Sequence, residues 1–140
     1  CQIIILDPVS DLFEDLPHEA AAGFMKFLKG TMKNYPVSFL LLAHIRKSSD
    51  NKSAASTGAF VPEESIYGSG SLTKSASWVA MLSRDKYNED EVIRNTTHVV
   101  LSKNRRGAIT GQAGQIYYDS STHQMYDLQD WQAENGVVDF

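Results

Sequence analysis

The chain lacks several features that would place it in a specialised class. Its one cysteine, Cys1, excludes a disulfide framework and a multi-cysteine metal site. Its longest apolar runs are far too short to cross a membrane, and its first residues lack the pattern of a signal peptide. These absences predict a protein of the reducing cytoplasm that has no membrane partner.

Basic side chains are missing from the end of the chain. No Lys or Arg follows Arg106, and the carboxylates beyond that point are Asp119, Asp127, Asp130, Glu134 and Asp139. The net charge of −4 argues against a generally basic nucleic-acid binder. We expect residues 129–140 to form a flexible acidic tail, which is either a solvated end or a segment that binds a partner.

The order of the apolar segments predicts an α/β fold. Four apolar residues, 3–6, stop at Asp7, as in a buried parallel strand with a carboxylate at its tip. Residues 19–34 have the periodicity of an amphipathic helix, and residues 37–44 form a second apolar strand. A strand, a helix and a strand within about 40 residues predict a βαβ unit, a parallel sheet and a right-handed crossover.

The rest of the chain predicts one domain over residues 1–128. Residues 46–64 have no periodicity and read as a long functional loop. Residues 65–70 lead into a short helix that is expected to end near residue 75. Two further strands are expected at residues 77–83 and 97–103, and a terminal hairpin at residues 114–118 and 123–128.

Asp7 is the first candidate for chemistry. In nucleotide-hydrolysing α/β domains a carboxylate at this position holds the Mg²⁺ that lies on the phosphates. The alternative is a structural loop or cap residue. The partner motif, G-x-x-x-x-G-K-[ST], is absent, and the chain starts at Cys1 directly before a strand. We therefore interpret it as a piece of a longer protein whose phosphate-binding half precedes it.

His44 ends the second predicted strand, so it should face the same crevice as Asp7 and could sense a terminal phosphate. The alternative is a capping histidine. Arg46, Lys47 and Lys52 follow in the predicted loop, where flexible cations suit a nucleic-acid backbone. A solvated loop is the alternative for these three.

Three further groups have weaker signals. Gly68, Ser69 and Gly70 open a short helix, where backbone N–H groups can meet an anion, although such a triplet is usually only a turn.

Lys103 and Arg105 alternate at the tip of the fourth predicted strand and suit a polyphosphate; the alternative is a surface pair. Arg84 and Tyr118 could sandwich a nucleobase, or be surface and packing residues.

Five motifs occur together in one order across residues 2–128, and together they resemble the C-terminal half of the helicase domain of DnaB-type, RecA-fold replicative helicases, most closely those of phage primase-helicases. The motifs are I-I-I-L-D, L-L-L-A-H followed by I-R-K, I-Y-G-S-G-S-L, V-A-M-L-S-R, and K-N-R-R-G-A-I-T-G-Q-A-G before a Tyr-bearing hairpin. The resemblance implies a partial RecA-like parallel-sheet ATPase core without its phosphate-loop half. It also implies a homo-hexameric ring that uses Mg²⁺ and ATP or another NTP, binds single-stranded DNA, and works in the host cytoplasm if phage-encoded.

The same resemblance implies roles for the candidate residues. Asp7 would be the Mg²⁺ carboxylate, His44 the γ-phosphate sensor, and Arg105, with Lys103, the arginine finger in the neighbouring subunit's site. Arg84 and Tyr118 would hold the base.

The remaining candidates would contact DNA or a partner. Arg46, Lys47 and Lys52 would belong to the central-channel DNA loop, and Gly68, Ser69 and Gly70 to a second DNA-facing element.

In some phage members an acidic tail that ends in an aromatic residue docks onto the replicative polymerase, and Trp131, Asp139 and Phe140 would serve that purpose here. Two alternatives stay open: a RecA-like recombinase or clock-type ATPase on the same fold, and a non-catalytic module that binds DNA or a polymerase.

Overall fold

The computed structural model describes residues 2–13, 18–45, 61–66 and 69–136. They belong to two compact units. The first comprises Cys1–Arg46 and Glu63–Ala76, and the second Lys47–Pro62 and Ser77–Phe140.

The first unit contains the predicted βαβ arrangement. Its first two strands, residues 2–6 and 37–41, pair in parallel, with Ile3 opposite Ser38 and Leu6 opposite Leu41, so the predicted parallel pairing is confirmed. A long helix connects the two strands. The elements in chain order are β1 (Gln2–Leu6), a 3-10 turn (Val9–Phe13), α1 (His18–Asn34), β2 (Val37–Leu41), a second 3-10 turn (Glu63–Ser65) and α2 (Ser69–Ser75).

Helix α1 covers one face of this two-stranded sheet. Ala21, Met25 and Leu28 recur at intervals of three to four residues, which puts them on one stripe of the helix, and all three are buried. Met25 and Leu28 pack with Val9 and Leu72, and the sheet contributes side chains that are partly buried against this cluster: Leu6, Phe39 and Leu41.

The other face of the same sheet is open. Ile3, Ile5 and Leu40 are 69%, 60% and 53% exposed. Their pairing puts them on one side of the sheet, opposite to the side that α1 covers. Since parallel sheets are normally covered on both faces, these three residues form an unusual apolar surface, here called the β1–β2 open face.

The second unit is built on an antiparallel sheet of four strands that lie side by side in chain order. Its elements are β3 (Trp78–Ser83), α3 (Glu91–Asn95), β4 (Thr96–Asn104), β5 (Gly111–Asp119), β6 (Gln124–Asp127) and α4 (Leu128–Asn135). The terminal hairpin, β5–β6, is confirmed. The α/β class is also confirmed, although within the described ranges parallel pairing is limited to β1 and β2.

Helix α4 lies where the sequence pattern predicts a flexible tail, so that prediction is wrong for residues 129–135. The Asp127 carboxylate caps the helix by accepting a hydrogen bond from the Gln129 N–H at 3.0 Å. Gly136 ends the helix with a left-handed φ of 67°. The Trp131 ring packs on the buried Tyr117 ring, with the centroids 4.1 Å apart, so burial of an aromatic pair orders this acidic segment.

Of the helices in the described part of the chain, none is both long and apolar enough to cross a membrane.

Candidate functional site

Asp7 and His44 lie at the same end of the parallel sheet. Asp7 directly follows β1, and the residues on either side of it are tied to Leu42 of the segment after β2. The Leu42 N–H donates to the Leu6 carbonyl at 2.9 Å, and the Val9 N–H donates to the Leu42 carbonyl at 2.7 Å. His44 is two residues beyond Leu42, which a backbone spans in at most about 7 Å.

Both side chains at this end are available to a ligand. Asp7 and His44 are exposed, and β2 ends at Leu41, so His44 lies beyond the strand rather than at its last residue as predicted. Among the described residues, no three His, Cys, Asp or Glu side chains come together as a metal cluster. Mg²⁺ often binds one or two protein carboxylates together with substrate phosphates, so the single exposed Asp7 carboxylate suits that type of metal site.

The chain after His44 is tied to the segment that precedes α2. Ile45 and Ile66 form an antiparallel bridge, which holds together the two ends of the stretch between them. Arg46, Lys47 and Lys52, predicted to contact DNA, belong to that stretch and lie outside the described residues.

The predicted glycine-rich element is described only in part. Ser69 and Gly70 are the first two residues of α2, and Gly68 lies outside the described ranges. Gly70 is exposed, and a Cβ at this position would meet nothing within 4 Å. The structure therefore gives no steric reason for glycine at residue 70.

Arg84 and Tyr118 lie toward one end of the antiparallel sheet. Arg84 directly follows β3, and Tyr118 lies on β5, two strands away. Extending the strand register by one residue past Ser83 puts Arg84 level with Ile116, two residues from Tyr118. By strand geometry, the Cα atoms of Arg84 and Tyr118 are then about 12 Å apart. The Tyr118 hydroxyl is hydrogen-bonded to Nδ1 of His123 at 2.8 Å.

Lys103 and Arg105 lie at the opposite end of that sheet. Lys103 on β4 pairs with Val79 near the start of β3, five residues before Arg84. At about 3.4 Å per residue, this separates the two groups by about 17 Å along the strands. The structure thus brings Arg84 toward Tyr118 and keeps both away from Lys103 and Arg105.

The β4–β5 turn contains a residue that sequence patterns did not single out, Asn104. Its Oδ1 accepts hydrogen bonds from the N–H groups of Arg106 and Gly107, at 3.2 and 2.9 Å. Its Nδ2 donates to the Ile109 carbonyl at 3.3 Å. An Asn followed three residues later by Gly is a known turn signal, so the spacing could have revealed this role.

Among the described residues, two groups have clearly shifted pKa values, and both lie in the β5–β6 hairpin: the carboxyl of Asp119 and the phenol of Tyr117. Hydrogen bonds from the Ser121 hydroxyl and then from its backbone N–H, with smaller contributions from Thr122, hold the pKa of Asp119 below its ordinary value. Burial, followed by the negative charges of Asp119 and Glu91, raises the pKa of Tyr117. These shifts arise from turn geometry and packing.

The predicted partner tail is only partly described. Trp131 belongs to α4 and packs on Tyr117, so its ring is not presented on a free segment. Asp139 and Phe140 lie outside the described residues.

The chain matches no known protein-family model and no curated protein sequence.

Proposed function

We propose that the chain is part of a DnaB-type, RecA-fold replicative helicase that couples NTP hydrolysis to translocation on single-stranded DNA and to duplex unwinding. The observation that carries the proposal is the backbone pairing of Leu42, two residues before His44, with Leu6 and Val9 around Asp7 at one end of a parallel βαβ unit. Ligands of open α/β sheets bind at the carboxyl ends of the strands, where both residues lie. The five ordered motifs then give this end its chemical interpretation.

In the proposed site, Asp7 binds the Mg²⁺ that accompanies the NTP phosphates, and His44 contacts the γ-phosphate. The Ile45–Ile66 bridge supports a coupling role. It joins Ile45, the residue after His44, to the far end of the segment that contains Arg46, Lys47 and Lys52. A change at His44 on hydrolysis would thereby reach the DNA-binding loop.

Arg105 and Lys103 are proposed to act in the site of the neighbouring subunit of a hexamer, and Arg84 and Tyr118 to hold the base of the subunit's own nucleotide. The separation of these two groups by about 17 Å along the sheet supports this division, because they lie at opposite ends of the same unit. In a ring closed by head-to-tail contacts, each subunit would bind its own nucleotide with one end of the sheet and reach its neighbour's nucleotide with the other.

The test uses the complete polypeptide that carries this chain, with DNA-stimulated NTP hydrolysis and unwinding of a forked duplex as readouts. Asp7→Asn should lower hydrolysis at least about a hundredfold, because Mg²⁺ supplies several kcal/mol of charge stabilisation. Asp11→Asn is the matched control, since Asp11 is an exposed carboxylate four residues away, and it should leave the rate unchanged. Equal rates for the two variants would contradict the role of Asp7.

The unwinding readout separates the helicase from a recombinase or clock-type ATPase on the same fold. DNA-dependent hydrolysis without strand separation would favour those alternatives. The 140-residue chain alone is expected to bind NTP weakly and not to hydrolyse it, because it contains no G-x-x-x-x-G-K-[ST] motif. Robust hydrolysis by the purified chain would refute that expectation.

The polymerase contact is proposed for the last four residues, including Asp139 and Phe140. A truncation after Gly136 is the clean test, because it retains α4 and the packing of Trp131 on Tyr117. Loss of polymerase binding on this truncation would support the contact, and retained binding would exclude it.

A further inference from the structure

The β4–β5 turn holds three consecutive backbone N–H groups in place. The Arg105 N–H donates to the Ser77 carbonyl at 2.9 Å, which anchors the start of the turn to the residue before β3. The next two N–H groups, of Arg106 and Gly107, donate to Oδ1 of Asn104. The backbone that carries the two arginines is thus fixed on both sides of Arg105.

The Asn104 side chain also closes the far side of the turn. Its Nδ2 donates to the Ile109 carbonyl, so one amide group joins both limbs of a turn whose residues, 105–110, are all exposed. Without this side chain, the N–H groups of Arg106 and Gly107 would have only water as a partner.

A side chain at residue 107 would collide with this amide. A Cβ at Gly107 would lie 2.7 Å from Nδ2 and 3.3 Å from Cγ of Asn104. The amide could move away only by giving up its hydrogen bonds to Arg106, Gly107 or Ile109. The Asn104 amide can therefore keep its position only while residue 107 has no side chain.

A fixed backbone matters for an arginine that stabilises charge in a transition state. Such a group is most effective when it is held in place before the reaction, since it then needs no reorganisation as charge develops. The Asn104 amide contributes to this placement by holding the backbone next to Arg105.

We propose that Asn104 is a positioning residue: it holds the β4–β5 turn so that Arg105 reaches the phosphates of the nucleotide bound by the neighbouring subunit. This inference rests on the proposed helicase function, in which Arg105 acts on a neighbouring site. It assigns the ordering of that arginine to one side-chain amide and to its steric partner, Gly107.

The first test measures backbone hydrogen exchange in the 140-residue chain by NMR. In Asn104→Ala the amides of Arg106 and Gly107 should exchange about tenfold faster, because each loses its acceptor. Asn104→Asp should keep their protection, because a carboxylate accepts the same two bonds. The control is Asn135→Ala, which removes an amide that donates to the Trp131 carbonyl in α4 and should leave the turn unchanged.

Gly107→Ala completes a double-mutant cycle. Alone it should also speed exchange at residue 106 about tenfold, because its Cβ displaces the Asn104 amide. Combined with Asn104→Ala it should add nothing, because the obstructing amide is already gone. Additive effects, or unchanged exchange in Asn104→Ala, would overturn the structural part of the inference.

The second test measures hydrolysis by the complete polypeptide. Arg105→Ala should lower kcat by about a thousandfold or more, as for an arginine finger. Asn104→Ala should lower kcat by about tenfold and leave KM within about twofold, because Arg105 remains but is less well placed. Asn135→Ala should keep the wild-type kcat.

The outcomes separate the inference from the function on which it rests. If Arg105→Ala abolishes hydrolysis while Asn104→Ala keeps the wild-type kcat, the positioning role is refuted and the helicase proposal stands. If Arg105→Ala also keeps the wild-type kcat, both are refuted. A rise in KM alone in Asn104→Ala would also refute positioning, because it would indicate weakened ground-state binding.

Discussion

Two variant subunits, each without an arginine at a different end of the antiparallel sheet, should restore each other's activity in a mixed ring. Arg84 and Arg105 lie at opposite ends of the sheet. The Arg105 N–H donates to the carbonyl of Ser77, seven residues before Arg84, so the two arginines are about 24 Å apart along the strands, and one subunit is expected to serve two different nucleotide sites. The perturbation is an equal mixture of Arg84→Ala and Arg105→Ala subunits, co-assembled from the unfolded state. Each variant alone should be nearly inactive at a nucleotide concentration below the wild-type KM.

The magnitude follows from the arrangement of the sites. In the proposed ring, an intact site would need Arg84 from one subunit and Arg105 from its neighbour, so random assembly would restore about a quarter of the sites. The assay is the steady-state rate of DNA-stimulated hydrolysis, and we expect about a quarter of the wild-type rate from the mixture.

A second mixture provides the matched control. Arg84→Ala and Tyr118→Ala remove groups toward the same end of the sheet, so no mixture of them contains a site with both groups intact. This mixture should stay as inactive as its components. Recovery there, or no recovery with Arg84→Ala and Arg105→Ala, would refute the assignment of the two ends to different sites.

Three predictions concern the second unit alone. Asp127→Ala should lower the free energy of unfolding in urea by about 1 kcal/mol through loss of the α4 cap, whereas Glu134→Ala, exposed in the same helix, should change it by no more than about 0.5 kcal/mol. Ser121→Ala removes a hydrogen bond to the Asp119 carboxylate, so it should raise the pKa of Asp119 toward its ordinary value of 3.8, as measured by NMR. In the wild type, the stability that this carboxylate contributes is complete above pH 3.8 and is lost as pH falls through the lower folded-state pKa. Tyr117 should have a pKa above its ordinary value of 10.0, as measured by an absorbance titration with Tyr117→Phe as the control. The stability that the neutral phenol contributes is therefore complete below pH 10.0 and falls as pH rises toward the folded-state pKa.

Local periodicity was enough to predict the first unit. The stripe of Met25 and Leu28 and the two apolar strands around it specify a helix and its sheet, because each pattern has only one way to bury its apolar side. The end of β2 was less predictable. Leu42 resembles a strand residue in sequence, but its carbonyl accepts from the Val9 N–H, and the chain leaves the sheet there.

The second unit was harder to predict because its order depends on contacts between distant residues. The direction of β4 relative to β3 is not encoded in the 12 residues between them, since that length permits either pairing. Helix α4 depends on Trp131 meeting Tyr117, although the Asp127 cap and Gly136 were readable signals at its ends. The role of Asn104 required its distances to the turn backbone.

The β1–β2 open face makes the isolated chain prone to self-association. Among the described residues, β2 is the one strand that pairs with β1, so the other edge of β1 carries no strand beside the exposed Ile3 and Ile5. A short, uncharged, isoleucine-rich strand with an open edge is a template for strand-to-strand aggregation. We therefore expect the isolated chain to self-associate as its concentration rises, and a charged substitution such as Ile3→Lys to delay this without disturbing the face that packs on α1.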